Sequence, residues 1–340
     1  MPHKESKNRG TGQPKASVVE ALADSASLRE EAQHRAASQA WEGATLTAAA
    51  QHYPVGALYV VATPIGNLAD ITLRALHVLA LADAIACEDT RRARQLLRAW
   101  NIDKPADAFI AAHEHNEAQA AQAVIARLQA GQRVAYASDA GMPAVSDPGA
   151  RLVAVCVAQG LRVVPIPGAS SVTAALSVAG VAGDGRWVFE GFLPVKANQR
   201  QAALARLRHE PRAVVLLEAP HRIAALAAAL AAACGGRAVT VARELTKQFE
   251  QVVTLPCADL PAWLQADAKR QRGEFTLILH PNADSDEVAD SAPTERILAL
   301  LLAELPLKVA VRLAAEITGD ARNTLYQRAL ALKSTLPADQ

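Results

Sequence analysis

From Ala57 onward, short apolar segments alternate with segments of helical spacing, and this alternation constrains the fold more than any other feature of the 340-residue chain. Each apolar segment ends in a loop rich in Gly, Pro or Asp. Strands that alternate with helices in this way indicate a parallel sheet with crossover helices. The predicted strands are Leu58–Ala62, Ala84–Cys87, Phe109–Ala112, Arg133–Ala137 and Arg162–Ile166. The predicted helices are Thr72–Leu81, Arg91–Trp100, Glu117–Ala130, Gly149–Gln159 and Ala169–Val178.

The regular alternation of strands and helices ends near Ala182, and a second set of predicted strands follows. These strands are Trp187–Phe192, Ala213–Leu217, Ala238–Ala242, Gln251–Leu255 and Phe275–Leu279. Only a short polar link separates the third from the fourth, which predicts a hairpin and therefore a mixed sheet. Helices at Gln199–Arg208 and His221–Ala232 are expected to cover it.

The two ends of the chain differ from this α/β pattern. The start is polar and mixed in charge and lacks an apolar signal core, so we expect a disordered extension with a short helix near Val18–Ala37. Recurring acidic residues there argue against an organellar presequence. Helical spacing returns in Glu295–Leu305, Lys308–Thr318 and Ala321–Leu332, and the turn at Gly319 predicts a helix-turn-helix module.

The sequence thus predicts an α/β protein of two α/β domains, with a parallel N-terminal sheet and a mixed second sheet, plus a small C-terminal helical module. The predicted domains are 1–54, a disordered extension; 55–182, the N-terminal α/β domain; 183–282, the second α/β domain; 283–292, an acidic linker; and 293–340, the helical module.

Charge and cysteine content restrict the classes of function. The net charge is only +1, so any nucleic-acid contact must come from local basic patches. The four cysteines form no CxxC pair, which favours reduced thiols in a cytoplasmic protein and argues against a zinc site. No uncharged apolar run reaches membrane-spanning length. We therefore expect a cytoplasmic protein without membrane or metal.

Three loops after predicted strands have the composition of ligand sites. The loop after the first strand contains Thr63, Pro64, Ile65 and Gly66; the loop after the fourth runs from Ser138 to Gly149; the loop after the fifth precedes a helix at Ser170. Ligands of parallel sheets bind at these carboxyl ends. The loops lack GxGxxG and a phosphate-loop Lys, which disfavours dinucleotides and nucleoside triphosphates. Each loop alone could be an ordinary turn, and Ser170 alone could be a helix cap.

Charged clusters follow several other strands. Glu88 and Asp89 precede a helix whose start carries Arg91, Arg92 and Arg94, which could form a solvated face or hold RNA phosphates. The His113-Glu114-His115 segment has its two imidazoles only two residues apart and no cysteine nearby, so a surface loop or RNA contact is favoured over a metal site. The clusters at 218–222 and 242–247 could be ion pairs or sites.

In chain order, TPIGNL, EDTRRARQLL, HEHNE, SDAGMPAVSDPG, PIPGASS, GFLP, EAPHRI, ARELTKQFE and RGEFTLIL occur between Leu58 and His280. This series resembles the bacterial 16S ribosomal RNA ribose 2′-O-methyltransferase I family, a branch of the tetrapyrrole methylases. The C-terminal helical tail is also similar to that family. The resemblance implies a homodimer of two-domain subunits with S-adenosylmethionine in the cleft between the domains. It also implies methylation of a cytidine ribose in the decoding region of 16S ribosomal RNA within the small ribosomal subunit.

Carried onto this sequence, the resemblance implies a set of cofactor-binding residues in four loops. They are Thr63, Pro64, Ile65, Gly66, Ser138, Asp139, Ala140, Gly141, Pro143, Ala169, Ser170, Ser171, Val172, Glu218, Ala219 and Pro220. The sequence departs from the family in small ways: Ala219 stands where serine is usual, and Arg272 stands where lysine often precedes Gly-Glu. Residues 1–54 have no counterpart in the family.

The chemistry of methyl transfer leaves the choice of catalytic residue open. Transfer from a sulfonium mainly requires alignment of the accepting oxygen. A ribose 2′-hydroxyl is a weak nucleophile, so a base or hydrogen-bond acceptor should assist it. The candidates are Asp139, Glu88 and Asp89. We expect Arg91, Arg92 and Arg94 to bind RNA.

Two alternative functions use the same sequence features differently. A tetrapyrrole (precorrin-type) C-methyltransferase would share the cofactor and fold, but the arginine-rich helix and the C-terminal module favour RNA over a small molecule. A non-catalytic nucleic-acid-binding regulator would use the helix-turn-helix alone, but ligand-type loops after three separate strands argue against it.

Overall fold

The computed structural model describes residues 35–113, 116–145, 149–182, 185–282 and 291–335. It divides the chain into two compact units. The first unit contains Met1–Thr63 and Asp70–Gly168, and the second contains Pro64–Ala69 and Ala169–Gln340. The division places Pro64–Ala69, part of the predicted first ligand loop, with the second unit.

The described residues of the first unit form a five-stranded sheet in the order β3-β2-β4-β1-β5. Every pairing in it is parallel, which confirms the prediction. The strands are β1 (Ala57–Val61), β2 (Ala84–Cys87), β3 (Phe109–Ala111), β4 (Val134–Ala137) and β5 (Arg162–Ile166). The burial of both faces explains why β1, β2 and β4 are continuous apolar runs in the sequence.

Helices cover the two faces of this sheet in separate pairs. One face carries Tyr59, Val61 and Ile85 and packs against α2 (Leu73–Leu81) and α3 (Thr90–Ala99). The other face carries Leu58, Val60 and Tyr136 and packs against α4 (Glu117–Gln129) and α5 (Gly149–Ala158). The helices that connect β1 to β3 thus lie on one face of the sheet, and those that connect β3 to β5 lie on the other.

In the second unit, the described residues form a mixed five-stranded sheet in the order β6-β7-β10-β8-β9. The strands are β6 (Trp187–Phe192), β7 (Ala213–Glu218), β8 (Ala238–Arg243), β9 (Gln251–Pro256) and β10 (Phe275–Leu279). The antiparallel β8–β9 pair confirms the predicted hairpin. The last strand enters between β7 and β8, antiparallel to both.

Helices also cover both faces of the second sheet. The first face packs against α7 (Ala197–His209), α8 (Ile223–Cys234) and α9 (Leu260–Gln265). The opposite face packs against α6 (Ser171–Val178) through Val172, Ala175 and the following Ala179.

The C-terminal residues form a helical module with its own apolar core. It contains α10 (Ser291–Glu304), α11 (Leu307–Thr318) and α12 (Arg322–Thr335), which pack through Leu298, Val311, Leu325 and Ala329. Gly319, at φ +80°, ends α11 in the left-handed conformation that glycine adopts readily. The predicted helix–turn–helix arrangement is therefore confirmed. Most of the predicted linker, residues 283–290, lies outside the described residues.

The structure differs from the prediction of disorder through residue 54. Residues 35–49 form an alanine-rich helix, α1, while most of the helix predicted near Val18–Ala37 lies outside the described residues. Ala48 and Tyr53 are buried, and the Tyr53 hydroxyl donates to the Ala48 carbonyl at 2.7 Å. High alanine helix propensity and this burial explain the order between 35 and 54.

Candidate functional site

The first sheet has a topological switch point between β1 and β4. These strands are neighbours, but β1 leads to α2 on one face and β4 leads to α5 on the other. The two strands therefore lead to helices on opposite faces of the sheet, and open parallel sheets bind ligands at such a point. The structure places the predicted residues Thr63 and Ser138–Gly141 at this point.

A short bridge joins the two loops at the switch point. The Thr63 N–H donates to the Gly141 carbonyl and the Gly141 N–H donates to the Thr63 carbonyl, both at 3.0 Å. The buried Thr63 hydroxyl donates to the Ser138 carbonyl at 3.1 Å. Gly141 has φ +79°, a conformation that favours glycine. Thr63, Ser138 and Gly141 thus form one fixed unit, with Asp139 and Ala140 in the segment between.

The three candidate catalytic carboxylates have different surroundings. The Asp139 Oδ2 atom accepts from Arg92 Nη1 at 2.7 Å, and the Asp139 side chain is 26% exposed. Asp89 is the N-cap of α3: its Oδ1 atom accepts from the Arg91 N–H at 2.8 Å. That backbone hydrogen bond, aided by the Arg91 side chain, lowers the pKa of Asp89. Glu88 lies half-buried directly after β2.

The three arginines at the start of α3 are not equivalent. The Arg91 side chain is 91% exposed and only 3.5 Å from Asp89 Oδ2. Arg92 pairs with Asp139. Arg94 instead lies on the Phe109 ring, 4.8 Å from its centroid, and donates to the Ala106 carbonyl at 3.2 Å. The structure therefore gives Arg94 a packing role and leaves Arg91 and Arg92 turned toward solvent.

In the second unit, the loop Pro64–Ala69 rests on the loop after β8. The Asn67 N–H donates to Thr246 Oγ1 at 3.1 Å. Lys247 lies against Gly66 so closely that a Cβ on Gly66 would approach Lys247 Cγ to 2.4 Å. From the sequence alone, the cluster at 242–247 could be ion pairs or a site, and neither Thr246 nor Lys247 stands out. Its one signal was the run of polar residues directly after an apolar strand.

The predicted residues Ala169–Val172 lie at the amino end of α6. Ser170 is the N-cap residue, with φ −150° and ψ 125°, but its side chain makes no capping hydrogen bond. The simple capping interpretation of its hydroxyl is therefore wrong. The first N–H groups of a helix have no acceptor within the helix, and its positive end favours anions. This end of α6 can receive a carboxylate.

Glu218 ends β7 with a buried carboxylate. Its side chain is 1% exposed and accepts from Arg222 Nε at 3.0 Å and from the Ala219 N–H at 2.9 Å. Arg222 also donates to the Leu193 carbonyl. The pair fixes the backbone at Ala219 and Pro220, the other two cofactor-binding residues expected in this loop.

The described residues contain no group of three or more His, Cys, Asp or Glu side chains suited to a metal. The His113 N–H donates to Asn116 Oδ1 at 2.8 Å, while Glu114 and His115 lie outside the described residues. Burial raises the pKa of the Cys87 thiol to about 12, so this cysteine beside Glu88 is no nucleophile at neutral pH. In the described part of the chain, no helix is both long and apolar enough to span a membrane.

Comparison with known proteins places this architecture in a family. Residues 57–261 match the model of the tetrapyrrole (corrin/porphyrin) methylases, and residues 288–333 match that of the RsmI C-terminal HTH domain. A cobalt precorrin-4 methyltransferase of solved structure is 18% identical with a TM-score of 0.49, over 67% of this chain and 98% of its own. A match this weak says nothing about the substrate.

Sequence relatives are much closer. The ribosomal RNA small subunit methyltransferase I of Pseudomonas aeruginosa is 48% identical over 277 residues, 81% of this chain and 97% of that protein. The protein of the same name from Escherichia coli O157:H7 is 47% identical over 278 residues, 81% of this chain and 95% of that protein. The chain therefore belongs to the tetrapyrrole methylases, in the branch of the ribosomal RNA small subunit methyltransferases I.

Proposed function

We propose that this protein transfers the methyl group of S-adenosylmethionine to the 2′-hydroxyl of a cytidine ribose in the decoding region of 16S ribosomal RNA. Its membership of the small subunit methyltransferase I family carries this proposal. The parallel sheet adds a physical reason, because its switch point lies at the residues that the family motif assigns to the cofactor.

The residues present suit S-adenosylmethionine. This cofactor carries an anionic carboxylate and supplies an electrophilic methyl group on a sulfonium. The amino end of α6, at Ser170, Ser171 and Val172, offers N–H donors for the carboxylate. Ala140 and Gly141 bring a backbone with little side chain to the switch point, where a bulky ligand needs room.

Asp139 is the best placed of the three carboxylates to assist the ribose hydroxyl. It lies on the loop at the switch point, and Arg92 holds its Oδ2 atom. Asp89 is the N-cap of α3, and its Oδ1 atom already accepts the Arg91 N–H, so its carboxylate serves the helix start. Asp139 would orient the 2′-hydroxyl as the oxygen–carbon bond forms and the carbon–sulfur bond breaks, and would accept the hydroxyl proton.

The exposed arginines of α3 and the C-terminal module are the proposed contacts with RNA. Arg91 and Arg92 present positive charge at the carboxyl edge of the sheet and would neutralise phosphates. The enzyme would act in the cytoplasm, where ribosomal subunits assemble, and as a homodimer like the family pattern that the motifs resemble. No observation favours the tetrapyrrole C-methyltransferase or the non-catalytic regulator over this function.

The test supplies methyl-labelled S-adenosylmethionine with small ribosomal subunits, naked 16S RNA or a tetrapyrrole precursor. We expect label in 16S RNA, in a cytidine dinucleotide that survives alkali, because alkaline cleavage needs a free 2′-hydroxyl. Asp139→Asn should lower kcat about 100-fold or more if Asp139 accepts the proton, whereas Asp103→Asn, at an exposed acid of the same unit, should not. Label in the tetrapyrrole, in a base or in no acceptor would contradict the proposal.

A further inference from the structure

The loop after β8 contains two non-glycine residues in the left-handed region of backbone space. Glu244 has φ +52° and Thr246 has φ +66°. A β-branched residue such as threonine is rare there, because its Cβ substituents crowd the backbone, whereas glycine fits without strain. Strain of this kind persists where the side chain performs a task that glycine could not.

The Thr246 side chain has such a task. Its Oγ1 atom accepts the Asn67 N–H at 3.1 Å and so holds the loop that follows β1. Asn67 in turn folds that loop on itself, because its Oδ1 atom accepts the Ala69 N–H at 3.1 Å. Glycine at 246 would keep the turn and lose this contact.

Lys247 supports the same loop through its aliphatic stem. A Cβ on Gly66 would lie 2.4 Å from Lys247 Cγ and 2.9 Å from Lys247 Cε. Gly66 therefore allows the loop to lie directly on the lysine. A larger residue at 66 would force the Lys247 side chain or the loop itself to shift.

The support itself is held by a network of charged groups. The Lys247 ammonium donates to Glu244 Oε1 at 2.8 Å and to Glu274 Oε2 at 3.2 Å. Glu244 Oε1 also accepts the Glu274 N–H at 2.9 Å, and the Thr246 N–H donates to Glu250 Oε2 at 2.6 Å. The strained loop is thus fixed from several sides, so its hydroxyl and its lysine stem have one position.

We propose that Thr246 and Lys247 are positioning residues for S-adenosylmethionine, which hold the loop at Gly66 and Asn67 in its cofactor-binding conformation. The inference rests on the proposed function, since it takes the Thr63–Gly66 loop as part of the cofactor site. Neither residue needs to touch the cofactor or the RNA. Their loss should therefore change cofactor affinity before it changes RNA affinity.

The test compares three substitutions at Thr246 by calorimetric titration with S-adenosylmethionine. Thr246→Val keeps the branched shape and removes the acceptor, so the Kd should rise about 2- to 10-fold, the effect of one hydrogen bond. Thr246→Ser restores the acceptor and should bind like the wild type. Thr246→Gly relieves the backbone strain and should melt no lower than the wild type, yet bind the cofactor as weakly as Thr246→Val.

The role of Lys247 is tested with two substitutions, one that removes only the charge and one that also removes the aliphatic stem. Lys247→Met keeps the apolar stem under Gly66 and should retain more cofactor affinity than Lys247→Ala. Thr254→Val is the matched control, because it removes another hydroxyl contact in the same unit, 2.6 Å from Thr240 Oγ1. That variant should leave the Kd for S-adenosylmethionine unchanged, and the KM for RNA should stay constant across the series.

The outcomes separate this inference from the function on which it rests. If the wild type binds S-adenosylmethionine and Thr246→Val and Thr246→Gly bind it equally well, the positioning role is wrong and the proposed function stands. The role is also wrong if cofactor affinity falls only in variants whose Tm falls in proportion. A wild type that does not bind S-adenosylmethionine overturns both.

Discussion

Single residues near the carboxyl edge of the first sheet divide between scaffold and chemistry according to their contacts. The Asp89 carboxylate accepts a helix N–H, and the Arg94 guanidinium lies on the Phe109 ring. Both side chains therefore serve the scaffold, although either type could act in a catalytic or RNA-binding site. Arg91, on the same helix as Arg94, keeps a side chain that is 91% exposed, and Asp139, on the loop after β4, pairs with the exposed Arg92. Residue type and spacing alone could not separate these roles, because the separation depends on which partner each side chain reaches.

The Glu244–Lys247 pair gives a pH-dependent prediction. Burial would raise the pKa of Glu244, but hydrogen bonds from Lys247 and the Glu274 N–H, with the charges of Lys247 and Arg243, outweigh it and lower the pKa. A carboxyl group with a lowered pKa stabilises the fold above its unfolded pKa, and this contribution disappears as the pH falls through the folded value. Lys247 keeps its charge throughout, because the Glu244 and Glu274 carboxylates raise its pKa despite burial.

Glu244→Gln should therefore melt below the wild type at neutral pH, and the difference in Tm should shrink steadily on acidification below pH 4.5, the ordinary value for a glutamate. Thermal denaturation across that range measures it. Exposed Glu304→Gln is the control and should show no such trend. A difference that grows as the pH falls would contradict the assignment.

Gly141 supports a second prediction, with Gly131 as its control. Both have φ +79°, so alanine at either position should cost about 1 kcal/mol in stability. A Cβ on Gly131 would meet open space, whereas Gly141 forms the bridge to Thr63. Gly141→Ala should therefore weaken S-adenosylmethionine binding, and Gly131→Ala should lower Tm similarly with unchanged binding. Equal cofactor affinity in both variants would show that the bridge does not shape the site.

The loop position of Gly141 by itself predicts that a bulky residue would block a ligand and leave the fold intact. Because Gly141 has a left-handed backbone, any side chain also strains the bridge. The loss of cofactor affinity must therefore be compared with that of Gly131→Ala, which carries the same backbone strain away from the bridge.

At the scale of one element, α3 combines a structural and an exposed arginine on a single helix. Arg94→Gln should lower stability by about 0.5–1 kcal/mol, because it removes the cation–π contact with Phe109. Arg91→Gln should leave Tm unchanged, weaken RNA binding and reduce the salt slope by about 0.7–0.9 if one phosphate is lost. Filter binding over a salt series, with cofactor affinity as a second readout, measures both.

The exposed Arg98, in the last turn of α3, is the matched control for that helix. If Arg98→Gln reduces RNA affinity as much as Arg91→Gln, the effect is one of general charge and not of a contact at the helix start. If Arg94→Gln weakens RNA binding without lowering Tm, its packing role is wrong.

Elements with local signals could be predicted from the sequence, and elements set by distant contacts could not. The strands of the first sheet and the β8–β9 hairpin follow from apolar runs, turn residues and a short link. The insertion of β10 between β7 and β8 leaves no local trace, because strand order depends on which neighbours pair after the chain has returned. The short helix α9, at Leu260–Gln265, was also missed, since six residues show too little periodicity.

The candidate site follows the same rule at the scale of the whole molecule. Its loops could be located because Gly, Pro and Asp punctuate the strand ends. The contact between Asn67 and Thr246 spans 179 residues of sequence, so no spacing rule reveals it. The ion pair of Arg92 with Asp139 spans 47 residues and joins two motifs that the sequence presents separately.

The N-terminal segment gives a prediction about the whole chain. The ordered part of the chain includes the helix at 35–49, so the segment that can be removed is shorter than the sequence predicts. A deletion of residues 1–34 should leave Tm and methyl transfer unchanged. A deletion of residues 1–52 should lower Tm, because it removes the Ala48 carbonyl and leaves the buried Tyr53 hydroxyl without that acceptor, a loss of about 1–3 kcal/mol. Tyr53 itself should stay in place, because its carbonyl accepts from Arg133 Nε at 3.1 Å and its ring packs 4.8 Å from that of His77.

Two controls separate this contact from a general effect of shortening the chain. Tyr53→Phe removes the hydroxyl in the full-length protein and should recover stability relative to the 1–52 deletion when the two changes are combined. Trp41→Ala alters a side chain that is 61% exposed on the same helix and should leave Tm unchanged. Differential scanning calorimetry gives the Tm values, and labelled methyl transfer gives activity. If the 1–52 deletion melts like the full chain, α1 adds nothing to the fold; if the 1–34 deletion alone abolishes transfer with the fold intact, that segment takes part in the reaction.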